Sequence, residues 1–205
     1  MNTSFDPETH RYTVNGEAWP SVTQLLSEFK LVDFSMVPAE RLEYKRVLGT
    51  RVHAATVLLD KGELDEDHFN ESFPECVPYL NAYRKFREIE SFEPVHKEQR
   101  YFSKKWKFAG TPDEFGIING DNYIIDYKCC FQVYPAVSTQ LQGYKILLEE
   151  NIKGIKIKKL LSLLLKKTGH YEITEHKDNQ SKNDFLACLV LHWRRRNYYG
   201  TVKAV

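Results

Sequence analysis

Gly110-Thr111-Pro112-Asp113-Glu114-Phe115-Gly116-Ile117-Ile118-Asn119-Gly120-Asp121-Asn122-Tyr123-Ile124-Ile125-Asp126-Tyr127-Lys128 is the stretch on which the fold turns. Asn119-Gly120 between two apolar runs is a strong short-range signal for a two-residue hairpin turn, because both turn residues must take positive φ. With that turn, Ile118 pairs with Asp121 and paired residue numbers sum to 239, which sets Asp113 directly opposite Asp126. A four-residue loop would raise the sum to 241 and set Asp113 opposite Lys128. Side chains alternate along a strand, so Asp126 and Lys128 share a face in either register. The run Tyr123 to Tyr127 is apolar on both faces until Asp126 and reads as a half-buried central strand. Two carboxylates facing each other there repel, and burial demands a proton, a cation or a salt bridge. A divalent, oxygen-preferring ion such as Mg²⁺ or Mn²⁺ answers that demand; Lys128 alone could also neutralise one of the pair.

Outward from this hairpin, the pattern is helices, strands, helix, strands, helix. Residues 5 to 14 suit a small hairpin. Ser21-Val22-Thr23-Gln24 spells a capping box opening a short helix to about Lys30. Helical spacing covers Pro38 to Lys61, with Gly49 weakening its middle, and again Pro74 to Ile89. Between them, residues 60 to 75 hold seven acidic residues against Lys61 and read as an exposed loop and helix cap. Val95 to Phe102 and Lys105 to Phe108 are expected to form one hairpin. Ala136 to Glu150 is an amphipathic helix, Lys158 to Leu165 and Tyr171 to Glu175 are strands, and Asp184 to Asn197 closes as a helix. This order predicts an α/β fold in which helices flank a small mixed sheet. The expected organisation is a single domain over residues 1–205. Its parts are a mainly helical one (1–91), a catalytic sheet and helix (92–176), and a C-terminal helix (177–205).

Composition sets the outer limits. The 205 residues are 42% hydrophobic and 28% charged, with 29 basic and 28 acidic side chains for a net charge of +1. These proportions exclude a disordered tail, a fibre and a disulfide scaffold. Near-neutrality gives no electrostatic sign of a nucleic-acid partner. The average nevertheless hides opposed regions: residues 153 to 167 carry six lysines and no acid. No apolar run reaches the length of a membrane span, and the first residues lack the basic start and apolar core of a signal peptide. A soluble intracellular (cytoplasmic) enzyme is expected. Cys76, Cys129, Cys130 and Cys188 contain no C-x-x-C pair and read as reduced thiols.

The spelling Pro112-Asp113 … Asp126-Tyr127-Lys128 resembles the PD-(D/E)XK nuclease superfamily, whose core is restriction-endonuclease-like. Gly49-Thr50-Arg51-Val52-His53 is similar to the G-x-x-x-H element of its RecB-like exonuclease branch. Gln140-Leu141-Gln142-Gly143-Tyr144 is similar to that branch's Q-x-x-x-Y helix. Trp19-Pro20-Ser21-Val22-Thr23 looks like the start of phage-type and mitochondrial-genome-maintenance-type exonucleases. The resemblance runs in order from about Phe5 to Leu148; the last 57 residues match in element order alone.

The resemblance implies a metal-dependent DNA exonuclease acting on DNA ends, with single strands favoured, that leaves 5′-phosphates. It would serve recombination, repair or phage DNA processing, alongside a recombination or replication partner protein. Asp113, Asp126 and His53 would ligate Mg²⁺ or Mn²⁺, with the Tyr127 carbonyl adding a ligand. Lys128 would orient or deprotonate water, and Gln140 and Tyr144 would hold the water, the lysine or the substrate backbone. Glu98 is a further candidate carboxylate, and Ser21, Thr23 and Arg51 are candidate DNA contacts. The branch's iron–sulfur variants need three clustered downstream cysteines, which this chain lacks, so no cluster is expected. A structure-specific endonuclease on the same fold and an inactive nucleic-acid-binding module are the alternatives. Lys104, Lys105, Lys107 and Arg194-Arg195-Arg196 form basic runs able to track DNA or simply to face solvent.

Overall fold

The computed structural model describes residues 1–199. The chain opens with an antiparallel three-strand meander, β1 (Thr3–Asp6), β2 (Arg11–Val14) and β3 (Glu17–Trp19). Ser21 then caps α1 (Val22–Glu28): its hydroxyl accepts from the Gln24 amide at 3.0 Å, and the Gln24 side chain accepts from the Ser21 amide at 2.9 Å. This is the capping box read from the sequence. The long helix α2 (Ala39–Lys61) runs through Gly49 without interruption and ends on Gly62, whose φ of 70° is the left-handed cap glycine allows. The acidic stretch is more ordered than an exposed loop. Asp65 caps a short helix, α3 (Glu66–Ser72), and Phe69 anchors it in the core. Helix α4 (Val77–Ile89) follows.

The main sheet has five strands in the order β10-β9-β8-β7-β4, namely Tyr171–Glu175, Lys159–Leu165, Asp121–Lys128, Glu114–Ile118 and Glu93–Lys97. All neighbours are antiparallel except β8 and β9, which are parallel and joined through α5 (Ala136–Asn151). Asn119 and Gly120, at φ 50° and 81°, make the tight turn, and Ile118↔Asp121, Phe115↔Ile124 and Glu114↔Ile125 all sum to 239. One strand pairing differs from expectation. Residues 95 to 108 do not form one hairpin: β4 pairs with β7, and a separate ribbon joins β5 (Tyr101–Ser103) to β6 (Phe108–Gly110). A register shift between Pro94 and His96 and the positive φ of Glu98 break the chain's course between the two pieces. The last helix, α6 (Gln180–Arg194), begins before Asp184 and passes into a π-helical turn at Arg195–Tyr199. The expected C-terminal part extends to residues 200–205, which lie outside the described residues.

Adjacent residues of the central strands enter different cores. Ile125, Leu161 and Leu163 pack with Val52, Tyr83 and Phe86 of α2 and α4. Ile124 and Leu160 pack on the other face with Leu141 and Leu147 of α5, Phe185 of α6 and Val22 of α1. Burying both faces explains why β9 is a near-continuous apolar run and why Tyr123 to Ile125 of β8 do not alternate. At Gly116, a Cβ would overlap the Glu93 carbonyl and the Phe92 ring. Gly116→Ala is therefore expected to push β4 away from β7 and cost about 1–3 kcal/mol, the usual range for overpacking, or more because a backbone atom is struck. Urea unfolding measures it; an unchanged midpoint would show that the strands can separate freely.

Candidate metal centre and active site

Three elements bring ligand-type side chains together at one end of the β7–β8 hairpin. From the middle of α2, His53 points its Nδ1 at Glu98 Oε1 (3.3 Å) and Asp113 Oδ1 (3.7 Å). The Tyr127 ring meets the imidazole edge-on at 5.6 Å and fixes its side. Glu98 follows β4 with φ 49°, a left-handed conformation uncommon for a non-glycine residue, and its amide donates to the Asp113 carbonyl at 3.0 Å. Asp113 lies just before β7, and its Oδ2 accepts from the Tyr127 amide at 2.8 Å. One donor atom each from His53, Glu98 and Asp113 lies within 4.8 Å of the others. That spacing, one imidazole nitrogen with two carboxylates, fits a divalent cation.

Asp126 completes the hairpin pair. It is wholly buried, and neither carboxylate oxygen has an aligned hydrogen-bond partner among the described residues. Lys128 Nζ approaches Oδ2 to 2.7 Å, a close ion contact without hydrogen-bond alignment. Burial raises the Asp126 carboxyl to about 6 against the pull of Lys128, and burial also raises Asp113 against the pull of His53. Burial alone would lower the His53 imidazole, but Asp113 and Glu98 outweigh it and the net shift is upward. Lys128 behaves likewise: burial pulls down, Asp126 and Asp113 pull up further, and the ammonium is held.

Helix α5 covers this end of the sheet. Gln140 Nε2 donates to the Tyr144 hydroxyl at 3.1 Å, and both Asp113 and Asp126 help burial to raise the buried Tyr144 phenol. Ser162 lies beside Asp126 in the parallel register and is hydrogen-bonded at 2.6 Å to His176 Nε2. The other sequence candidates are engaged locally. The Ser21 hydroxyl caps α1 and lies 3.2 Å from the Thr23 hydroxyl. Arg51 pairs with Glu75 at 3.0 Å and stacks on Phe73 at 4.7 Å, which ties it to the acidic segment.

A second charge cluster, around Glu114 of the same hairpin, was not legible in the sequence. Glu114, next to Asp113, is completely buried and meets Lys97 at 3.5 Å. Lys97 also contacts Asp60 (2.6 Å) and the Tyr83 hydroxyl (2.9 Å), and Arg87 pairs with Asp60. The Tyr83 hydroxyl donates to Asp60 at 2.6 Å. Burial raises Glu114 to about 8, with Lys97 the main opposing pull. Asp60, expected in an exposed acidic loop, is instead a partner in this cluster. The available signal was strand alternation, which turns Glu114 away from Asp113.

No protein-family model matches the sequence, and no curated protein matches it. Among solved structures, a Eubacterium rectale protein described as a candidate exonuclease is similar in chain path. It is 15% identical over 78% of this chain and 69% of its own, with a TM-score of 0.49. An alkaline exonuclease of Laribacter hongkongensis is 12% identical over 89% of this chain and 94% of its own, with a TM-score of 0.40. No helix among the described residues is long and apolar enough to cross a membrane.

The pKa shifts make a signed prediction. Asp126 is raised from 3.8 to about 6 and Glu114 from 4.5 to about 8, while Asp113 and His53 also move up. Raised groups bind more protons folded than unfolded, so stability falls as pH rises through each window. In chelator, the thermal midpoint is expected to drop between pH 5 and pH 8. Asp126→Asn should remove the part lying between about pH 4 and pH 6, on the order of 3 kcal/mol at most. A midpoint that rises with pH would contradict the shifts. Separately, Lys97→Met leaves Asp60 with Arg87 and the Tyr83 hydroxyl but takes the neighbouring ammonium from the buried Glu114 carboxyl. It is expected to cost about 1–3 kcal/mol in chemical unfolding, the scale of a buried polar group losing its partner.

Proposed function

We propose that the chain is a metal-dependent nuclease that hydrolyses DNA phosphodiester bonds from an end, leaving a 5′-phosphate and a 3′-hydroxyl. The carrying observation is the convergence of His53, Glu98 and Asp113 within ligand distance of one another beside Asp126, whose Oδ2 meets Lys128 at 2.7 Å while its Oδ1 has no partner among the described residues. Several carboxylates buried around one ammonium are costly unless a further cation or a proton completes them. His53, Glu98 and Asp113, with Asp126 alongside, would hold Mg²⁺ or Mn²⁺, and the Tyr127 carbonyl is a further candidate ligand. Such an ion, when bound, supplies Lewis acidity that polarises a phosphoryl oxygen and lowers the pKa of water.

The chain's own groups then divide the remaining work. Lys128 is held as an ammonium by Asp126 and Asp113. In that state it has no lone pair to accept a proton, so its part is to donate to the attacking water or a phosphate oxygen and offset charge building at phosphorus. Tyr144, kept protonated, and Gln140 donate from α5 and orient the phosphate or the water against the hairpin. Ser21 and Thr23 remain candidate contacts to the strand, reached through the Ser21–Ala109 bridge that joins α1 to β6. A role for the enzyme in recombination, repair or phage DNA processing follows from the resemblance of its motifs.

End-labelled single- and double-stranded DNA with Mg²⁺ or Mn²⁺ tests the reading. Hydrolysis is expected to fall at least 100-fold in Asp126→Ala and Lys128→Ala, the scale of losing one electrostatic stabiliser. Undiminished activity in both variants would refute the assignment. Cutting of circular single-stranded DNA would convert it to an endonuclease. Calorimetric Mn²⁺ titration should show weaker binding in His53→Ala and Glu98→Gln.

A further inference from the structure

Two basic runs far apart in the sequence, Lys104–Lys107 and Arg194–Arg196, meet in the fold. The first forms the turn of the β5–β6 ribbon, and the second ends α6. Between them lies an open surface groove of about 390 Å³. Its rim carries Lys104, Lys105, Lys107 and Arg194, its walls are Trp106, Trp193 and Tyr198, and no carboxylate lines it among the described residues.

Cations and rings interleave. Lys105 lies 5.2 Å from the Trp106 ring centre, Lys107 5.8 Å from Trp193, and Arg194 5.8 Å from Tyr198. Trp193 is braced by Arg196, which lies 5.2 Å from its ring centre and donates to the Ala18 carbonyl at 2.6 Å. Glu150 holds the ribbon turn through the Lys104 and Lys105 amides at 2.8 and 3.1 Å, not through their ammonium groups. Lys107 shares its charge with Glu17 at 3.5 Å. Lys104, Lys105 and Arg194 have no carboxylate partner among the described residues.

We propose that this groove is a second nucleic-acid site, apart from the carboxylate centre, that takes single-stranded DNA. Unpaired bases stack on Trp106, Trp193 and Tyr198 while Lys104, Lys105 and Arg194 receive the phosphates. A duplex keeps its bases stacked inside and offers these rings nothing, whereas a single strand engages both rings and cations. The choice of DNA rests on the nuclease reading; the single-strand chemistry rests on the groove.

The test uses the full chain carrying Asp126→Asn, in chelator, so that neither hydrolysis nor metal contributes. Fluorescein-labelled oligothymidylate is followed by anisotropy and by tryptophan emission, since two of the three tryptophans line the groove and Trp19 is buried. Binding should quench that emission. Lys105→Glu with Arg194→Glu should weaken affinity roughly tenfold or more and flatten the salt slope by about 1.4, two phosphate contacts at about 0.7 each. Trp106→Leu should weaken binding about fivefold or more with the slope kept. Exposed Tyr198→Ala tests stacking if the half-buried Trp106 proves necessary for folding. Charge-reversed protein that binds like its parent overturns the proposal. So does a duplex bound equally well without quenching, which would mean a phosphate-only patch. Attachment to phosphatidylglycerol vesicles but not to oligothymidylate also overturns it. Wild-type protein that binds through the groove yet hydrolyses nothing would instead overturn the nuclease reading alone.

Discussion

The desolvation of two carboxylates at one end of a hairpin is the constraint on which this structure depends. Asp126 lies on β8 and Asp113 just before β7, in a hairpin whose register is fixed by the Asn119-Gly120 turn, and the sheet is covered on both faces. Water that would have screened their repulsion is excluded, which is why both carboxyls are raised. Hydrophobic packing on the two faces must hold this arrangement together, since the charges themselves oppose it. His53, Glu98 and Lys128 are what the fold supplies against that cost, and they leave the Asp126 oxygens incompletely satisfied.

The same hairpin carries a second cluster, around Glu114, and helix α2 serves both. His53 and Asp60 are seven residues apart, two helical turns, and so lie on one face of α2. His53 reaches the Asp113 cluster and Asp60 reaches Lys97 and Arg87. The helix is thus fastened to the sheet at two points along its length. Lys97 and Glu98 divide similarly, one to each cluster, so the geometry of Glu98 depends on the ion pairs behind it. A change in the Asp60–Lys97–Glu114 cluster can reach the geometry of His53, Glu98 and Asp113 through one strand and one helix, without touching any of the three.

What could be read from the sequence was local or periodic. The hairpin register followed from two turn residues, the Ser21 cap from a four-residue pattern, and the shared direction of Gln140 and Tyr144 from helical spacing. What could not be read was which strand would sit beside β7. Residues 95 to 108 have hairpin character, but the register shift after Pro94 and the left-handed backbone at Glu98 divert them into two different sheets. Glu98 meets His53 because of that diversion, and no pattern within the segment encodes it. Asp60 was misread for a related reason: it opens a strongly acidic run, and only the tertiary approach of Arg87 and Lys97 separates it from its exposed neighbours.

The net charge of +1 takes its meaning from where the charges lie. Asp60, Asp113, Glu114 and Asp126 are largely withdrawn from solvent, while much of the basic surface is gathered at the β5–β6 turn and the end of α6. Buried carboxylates balanced by Lys97, Arg87 and Lys128 contribute little to the outward field, so the formal sum understates how positive the groove is to an approaching polyanion. A uniformly basic surface would bind DNA non-specifically and with steep salt dependence. Gathering exposed positive charge at one groove while keeping negative charge inside would let a near-neutral protein attract a strand where aromatic rings could hold it. An anionic backbone meets the carboxylate centre on favourable terms only once a cation has offset it.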